Sequence, residues 1–325
     1  MFNPQHYGLT FTPTHVKNAR DQRDKEPFRS AWALLGQRKQ LDLLELAQWC
    51  GLNYRFNDDL DSGERAVNIL NQDDLTPPSE PGVIEMSAAL MVQAQCFELV
   101  RDHPAWKTND QQAWSAQFSE AVNQSNQPQV DLLYVDSVWL NALMLVAGIV
   151  LEDETLFYHA VQVFQDVINQ DIHPEGYIRK AAQGEPGTSL NRMLLTTQAL
   201  ILTAEAATHA GENLWTYNVR GVSALTPTPY LLYYYYYPEK WRWDADLEAD
   251  EIPETDTSGL DIESTQALYR RHGGLWEMAQ HQNFSKDREM LLNDLRPVYD
   301  VWGGGLVTLT HGSAAHKSRR FGVFG

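Results

Sequence analysis

Two cysteines, Cys50 and Cys96, in 325 residues are too few for a disulfide framework or a four-thiolate zinc site. The opening residues Met1-Phe2-Asn3-Pro4-Gln5-His6 have no basic stretch followed by an apolar one. No signal peptide is read there, and a cytoplasmic location is expected, or a secreted one if a leader was trimmed. The apolar run at 138–151 is interrupted by Asn141 and is too short to cross a bilayer. Bases are also scarce, since 25 Lys and Arg against 43 acids leave a net charge of −18. Duplex nucleic acid and anionic membranes are engaged by clustered cations, so neither is an expected partner. Phosphate-loop, dinucleotide, His-Glu-x-x-His and Ser/His/Asp signatures are missing, and no cofactor or metal is expected.

Aromatic residues are not scarce. Ten Trp, 14 Tyr and 11 Phe suit a large core or a groove that stacks on sugar rings. Nine acids and no base fall between Trp243 and Tyr269, which predicts a solvated acidic loop at 244–263; its carboxylate spacing does not match a calcium loop. The basic tail at 316–320 is expected to be mobile.

Apolar residues recur at helical spacing through most of the chain. Helices are expected around 31–49 (one, or a broken pair), 84–99, 113–122 with Asn109 as cap, 137–151, 156–168 capped by Asp153, 190–209 stopped by Gly211, 265–279 and 287–295. Strand signals are few, at 230–237 (equally readable as a helix) and 306–310, where Gly303-Gly304-Gly305 turns into an extended piece that brings His311 to a cavity. This pattern predicts an all-α protein, a single domain over 1–325 built as an incomplete (α/α) toroid of helical hairpins. The most apolar segments, 137–151 and 190–209, are expected as inner helices and 156–168 as an outer one, with a central cavity and a groove along the inner helix ends.

The stretch Tyr134-Val135-Asp136-Ser137-Val138-Trp139, then Ala147-Gly148-Ile149, Asp153, Leu156 and Ala160, resembles the alginate lyase family of (α/α) toroids. Glu175-Gly176-Tyr177-Ile178 with the helix carrying Gln198-Ala199-Leu200 extends the similarity, as do Gly211, Leu214-Trp215 and Tyr217. The resemblance implies a polysaccharide lyase that cleaves a uronate-containing glycan, alginate- or glucuronan-like, by β-elimination. It also implies an Asn-Asn-His-x-x-Trp motif, and here Trp139 is kept while Tyr134, Val135 and Asp136 stand at the Asn, Asn and His positions. The family's later Arg and Tyr correspond by spacing to Thr188 and Leu195, and a shifted register brings Arg192 into the Arg role.

A uronate lyase must neutralise the C6 carboxylate, remove the C5 proton and protonate the leaving oxygen. Residues 173–180 offer those groups in a short span, so His173, Tyr177, Arg192 and Asp136 are the expected catalytic set. Trp139, Glu175, Arg179, Lys180, Asn191 and Tyr134 are the expected substrate contacts. Each has a plainer reading: Asp136 as a helix cap, Trp139 as core, His173 and Tyr177 as a packed loop, and Arg192 paired with Asp136 or Glu175. The five tyrosines at 233–237 cannot all point inward, and the exposed ones suit sugar stacking or an interface; a catalytic Tyr there would need a cation such as Arg242. Two other functions fit the same residues: a toroidal glycoside hydrolase using Asp136 and Glu175, or a non-catalytic glycan-binding protein.

Overall fold

The computed structural model describes residues 1–37, 41–72, 81–127, 131–183, 187–243 and 260–313. Most of the acidic stretch (244–259), Gly184 and the basic tail lie outside the described residues. Along the chain come α1 (Pro13–Asp21), α2 (Phe28–Leu35), α3 (Leu43–Asn57), α4 (Leu60–Leu70), α5 (Val83–Val100) and α6 (Thr108–Ser125). They continue with α7 (Tyr134–Val150), α8 (Glu154–Gln170), α9 (Arg179–Ala182), α10 (Ser189–His209) and α11 (Pro227–Tyr236). The last are α12 (Ile262–Arg271), α13 (Gly273–Gln282), α14 (Lys286–Leu295) and α15 (Val307–His311). Among the described residues there is no β-strand, only isolated bridges.

Local chemistry sets many of these boundaries. Side chains of Asp42, Asp59, Asp153, Asp261 and Ser285 accept the exposed N–H groups that open α3, α4, α8, α12 and α14. Asp261 and Glu263, expected in the acidic loop, therefore begin α12. The cap expected at Asn109 is instead in the first turn of α6, which starts after Lys107. The expected helix at 265–279 is two, broken at His272 before Gly273-Gly274. Both strand candidates are mainly helical: Pro227 and Pro229 set the first turn of α11, and 307–310 falls on α15 with Leu306 just before it.

The helices form an (α/α) toroid. In the inner layer α3, α5, α7, α10 and α13 pack side by side, and α15 with α1 and α2 closes the ring back onto α3. α5, α7 and α10 are buried on nearly every face, whereas α8 buries one stripe, Phe157, Ala160, Val161, Phe164 and Val167. α5 is long and apolar enough to cross a membrane by length and composition, but most of it is buried inside the protein. Gly148 explains part of the family pattern: a Cβ there would lie 2.7 Å from the Phe157 backbone nitrogen, so glycine lets α8 close onto α7.

Two contacts show that the inner helices run parallel. Arg101 at the end of α5 reaches Val150 O and Glu152 at the end of α7, and Arg55 at the end of α3 reaches Asp102 just beyond α5. Their N-termini thus share one end of the ring. The expected central cavity is filled. The 300–305 loop enters the ring, where Gln48 donates to Val301 O (2.9 Å), Gln95 to Gly304 O (3.2 Å) and Gln198 to Asp300 Oδ2 (2.9 Å). Gly304 and Gly305 supply the positive φ values, 109° and 81°, that this loop needs. A space of about 10 Å3 lies between Leu9, Trp302 and Gly304.

Candidate functional site

The N-terminal ends of α7 and α10 carry most of the expected site residues, already tied into local networks. Tyr134 donates its hydroxyl to Asp171 Oδ2 (2.9 Å), and Lys180 Nζ pairs with Asp171 Oδ1 (2.7 Å). Burial, reinforced by Asp171, pushes the Tyr134 phenol far above its ordinary value, so it stays a proton donor. Asp136 lies in the first turn of α7, where Oδ2 accepts the Leu133 N–H (3.1 Å). Burial and Glu85 raise its pKa against that bond. It works as the expected helix-terminal carboxylate, from the third position of the helix instead of the cap.

Residues 173–177 form a tight turn closed by His173 N–H to Tyr177 O (2.9 Å). Gly176 takes φ 100°, and a Cβ there would meet Thr226 O at 2.7 Å, so the turn packs against the start of α11. His173 stacks on Tyr177 with centroids 4.2 Å apart, and its Nδ1 accepts the Glu175 N–H (3.2 Å). A neutral His173 therefore carries its proton on Nε2 and offers no free lone pair, which removes it as a general base. Tyr177 is buried against Tyr230 and Trp243. Burial and then Glu175 raise its pKa, while Arg242 and Arg179 oppose the rise.

Arg192 is buried in the first turn of α10, but its described partners are not carboxylates. Nε donates to Ala181 O (3.2 Å), one terminal nitrogen to Ala182 O (2.9 Å) and the other to the Thr188 hydroxyl. The expected partners Asp136 and Glu175 are not among them. Trp139 is fully buried, donating to Leu195 O (3.1 Å) and packing edge-on against Trp302 (5.5 Å). It is a core residue and not a sugar platform. Arg179, Lys180, Arg242 and Asn191 retain partial exposure around the same end of α10.

The tyrosine run divides as its spacing requires. Tyr234 and Tyr235 are buried, while Tyr233, Tyr236 and Tyr237 are exposed and line, with Arg288 and Met290, a cleft of about 670 Å3 between α11 and α14. Several residues at the site were not singled out from sequence. Tyr230 accepts from Trp243 Nε1 (2.7 Å) and from the Tyr234 hydroxyl (3.3 Å). His272, Gln198 and Asp300 form a buried chain that ends on Asn191. The only sequence signal for that chain is polarity in apolar surroundings: Gln198 within α10 and His272 beside a double glycine.

A second polar cluster lies near the opposite end of the ring, around Glu205. Its carboxylate accepts from His209 (3.1 Å), His311 (3.3 Å), Trp215 (2.9 Å) and Gln282 (3.0 Å). Burial alone would raise its pKa, but the bonds from His209 and His311 outweigh burial and hold it well below the carboxylate range. His15, Glu205 and His311 have ligand atoms within 4.8 Å of one another, close enough for a metal ion. The proton arrangement fits that poorly. His15 Nδ1 accepts the Thr12 N–H (3.1 Å), so neutral His15 holds its proton on Nε2, and Glu205 is already saturated by donors. His311, expected at a cavity, is buried in this cluster.

A family model for alginate lyase matches residues 65–241, more than half of the chain. Among solved structures, alginate lyase A1-III from Sphingomonas species A1 superposes with a TM-score of 0.66 at 15% identity, covering 83% of this chain and 75% of that one. A variant of A1-III complexed with tetrasaccharide gives 0.67 at 16% identity, covering 96% and 84%. An alginate lyase from Bacteroides ovatus gives 0.64 at 11% identity, covering 96% and 99%. No curated protein matches the sequence. At these identities the structures establish a shared fold, and with the family match over residues 65–241 the conclusion is that this chain belongs to the alginate lyase family of polysaccharide lyases.

Proposed function

We propose that the chain binds a uronate-containing glycan, alginate- or glucuronan-like, at the N-terminal ends of α7 and α10 and cleaves it by β-elimination. The observation that carries this reading is local charge. In a chain of net −18, Arg179, Lys180 and Arg192 gather round one helix end within the segment matched by the family, and Arg242 lies close to Tyr177. Arg179, Lys180 and Arg242, with the N-terminus of α10, favour the C6 carboxylate. Tyr177 is the group assigned to take the C5 proton; burial and Glu175 favour its phenol, and the phenolate this step needs depends on the opposing charges of Arg242 and Arg179. The C4–oxygen bond then breaks, a C4–C5 double bond forms, and the leaving oxygen regains a proton from the phenol.

A second reading, glycan binding without turnover, is favoured by one observation. Tyr134 and Asp136 stand at family Asn and His positions and are both engaged by their surroundings. Hydrolysis by Asp136 and Glu175 has less support, since Asp136 is tied to Leu133 and Glu175 stands on an exposed turn. The test is incubation with alginate, glucuronan and glycosaminoglycan oligosaccharides, following the absorbance of unsaturated uronate together with calorimetric binding. New absorbance supports the lyase. Binding without it supports the second reading, reducing ends without it support hydrolysis, and neither binding nor product from any glycan overturns all three.

A further inference from the structure

A chain of four polar side chains runs from the loop that fills the ring to the open end of α10. It begins at Asp300, whose carboxylate is enclosed by groups that can only donate. Gly303 N–H reaches Oδ1 (2.9 Å) and Gly274 N–H reaches Oδ2 (3.0 Å). Burial lifts Asp300 to about 6, so it is mainly ionised at neutral pH. The other neighbour of Oδ2 is the terminal amide of Gln198 at 2.9 Å, which must present its NH2 to an anion.

That choice fixes each group beyond it. With its nitrogen on Asp300, Gln198 turns Oε1 toward His272 Nδ1 at 2.7 Å, so Nδ1 carries a proton. His272 is almost wholly buried and Arg271 adds repulsion, which lowers its pKa to about 3 and keeps the ring neutral. A neutral imidazole has one N–H, and Nε2 is therefore a lone pair. The group 3.1 Å from Nε2 is the terminal amide of Asn191, placed with Oδ1 toward the ring. Two acceptors cannot share that contact. The proton inventory gives the position to Nδ2, reached by a half-turn of the amide about its last torsion. Asn191 is partly exposed and makes no other described hydrogen bond, so its oxygen is then the atom left for solvent or a ligand at the N-terminal end of α10.

We propose that Gln198 and His272 are positioning residues that turn the amide oxygen of Asn191 outward at the N-terminal end of α10, where it accepts a hydroxyl of the bound glycan. The opposite orientation would present the amide NH2, a donor suited to a carboxylate. In this arrangement the cationic side chains Arg179 and Lys180 receive the acid group, and Asn191 receives a neutral one. The inference rests on reading this end of the ring as the glycan site.

Two measurements test it separately from that reading. Nitrogen-15 NMR of histidine-labelled protein at neutral pH reports the tautomer of His272 without any ligand. The Nδ1–H form is expected, and in Gln198→Met that preference is lost. An Nε2–H or doubly protonated ring, or a tautomer unmoved by Gln198→Met in folded protein, overturns the relay. The second measurement is calorimetric binding of an alginate trisaccharide and of the same trisaccharide with its carboxylates reduced to alcohols, each with and without Asn191→Leu. A hydroxyl contact makes the substitution weaken both ligands by a similar factor, on the order of tenfold for a lost buried hydrogen bond. A penalty seen with the acid and absent with its reduced form overturns the assignment of Asn191. If neither trisaccharide binds the unaltered protein, the glycan reading falls and with it the role of Asn191 toward glycan, while the tautomer still decides the relay.

Discussion

The guanidinium of Arg192 closes the end of a different helix: it donates to Ala181 O and Ala182 O, the last two carbonyls of α9. A cation at a helix C-terminus satisfies exposed carbonyls and meets the negative end of the peptide dipoles. The contact holds α9 against α10 and places Arg179 and Lys180 beside the site. Arg192→Lys keeps the charge but loses the planar fork, and should lower stability by about 1–3 kcal/mol in denaturant titration, the range for hydrogen bonds from a charged donor. Glycan affinity should fall less than threefold if Arg192 only supports α9. A tenfold or greater loss of affinity with unchanged stability would show that it grips substrate instead.

Trp139 makes the complementary case for the core. Its indole is fully buried and donates to Leu195 O on the neighbouring inner helix. Trp139→Phe removes that bond and leaves a small void, at a cost of roughly 2–4 kcal/mol. Denaturant midpoints measure this. A variant as stable as the parent but unable to bind glycan would restore the sugar-platform role.

What the sequence made legible follows from what periodicity encodes. α7, α8 and α10 were readable because their apolar residues repeat at helical spacing, and Asp153 caps α8 as its position implies. The filled axis was not readable. It depends on Gln48, Gln95 and Gln198, three amides far apart in sequence that meet one loop only once the ring is formed. Tyr230–Tyr237 carries both β-propensity and helix-compatible spacing, and the prolines at 227 and 229 decide for helix. The site residues were found by type, but their roles depend on partners. His173 lost its base role to one backbone N–H from Glu175, a contact no spacing rule shows.

Arg179 and Lys180 are the cations best placed to meet an anionic glycan. Replacing both with Gln should weaken oligouronate binding by at least tenfold at low salt and flatten its dependence on salt concentration, since exposed charges act through a screened field. Lys180 is largely exposed but its partner Asp171 is mostly buried and keeps the Tyr134 hydroxyl as a donor, so the melting temperature should fall modestly. Unchanged affinity and salt dependence in the double variant would remove this surface from the site.

Glu205 joins α10 to His311 of α15, Gln282 of α13 and Trp215 through three of its four accepted hydrogen bonds, the fourth coming from His209 of α10 itself. Glu205→Gln turns an NH2 toward groups that donate, so at least one donor is left facing another. The expected loss is about 3 kcal/mol or more, as for removal of one partner from a buried charged network. Because His15 Nδ1 is occupied by Thr12 N–H, micromolar zinc should not raise the melting temperature of the parent protein, nor should a chelator lower it. A zinc-dependent rise that disappears in Glu205→Gln would establish the cluster as a metal site.

Acidification should destabilise the fold. His15 is held at about 3, by burial and then by His311 and His281, and His272 is held at about 3 by burial and then Arg271. Both stay neutral in the folded chain while the unfolded chain takes protons below its ordinary value of 6.5. Their contribution is therefore complete above that pH and is lost as pH falls toward 3. Glu205 acts in the same direction at lower pH, since the bonds from His209 and His311 overcome its burial and keep it ionised below the usual carboxylate range. Asp300 opposes them. Burial lifts it to about 6 from 3.8, so its contribution is complete below 3.8 and is lost as pH rises through 6. Between pH 6 and 4 it cancels about one histidine, while His281, lowered by burial and then His311, adds to the other two, leaving a net loss of at least about 1 kcal/mol per pH unit. Urea midpoints at a series of pH values across this range measure the slope. His272→Gln removes one of these histidines and should flatten it, while stability that is constant or rises on acidification would mean that these groups are not buried neutral in the folded chain.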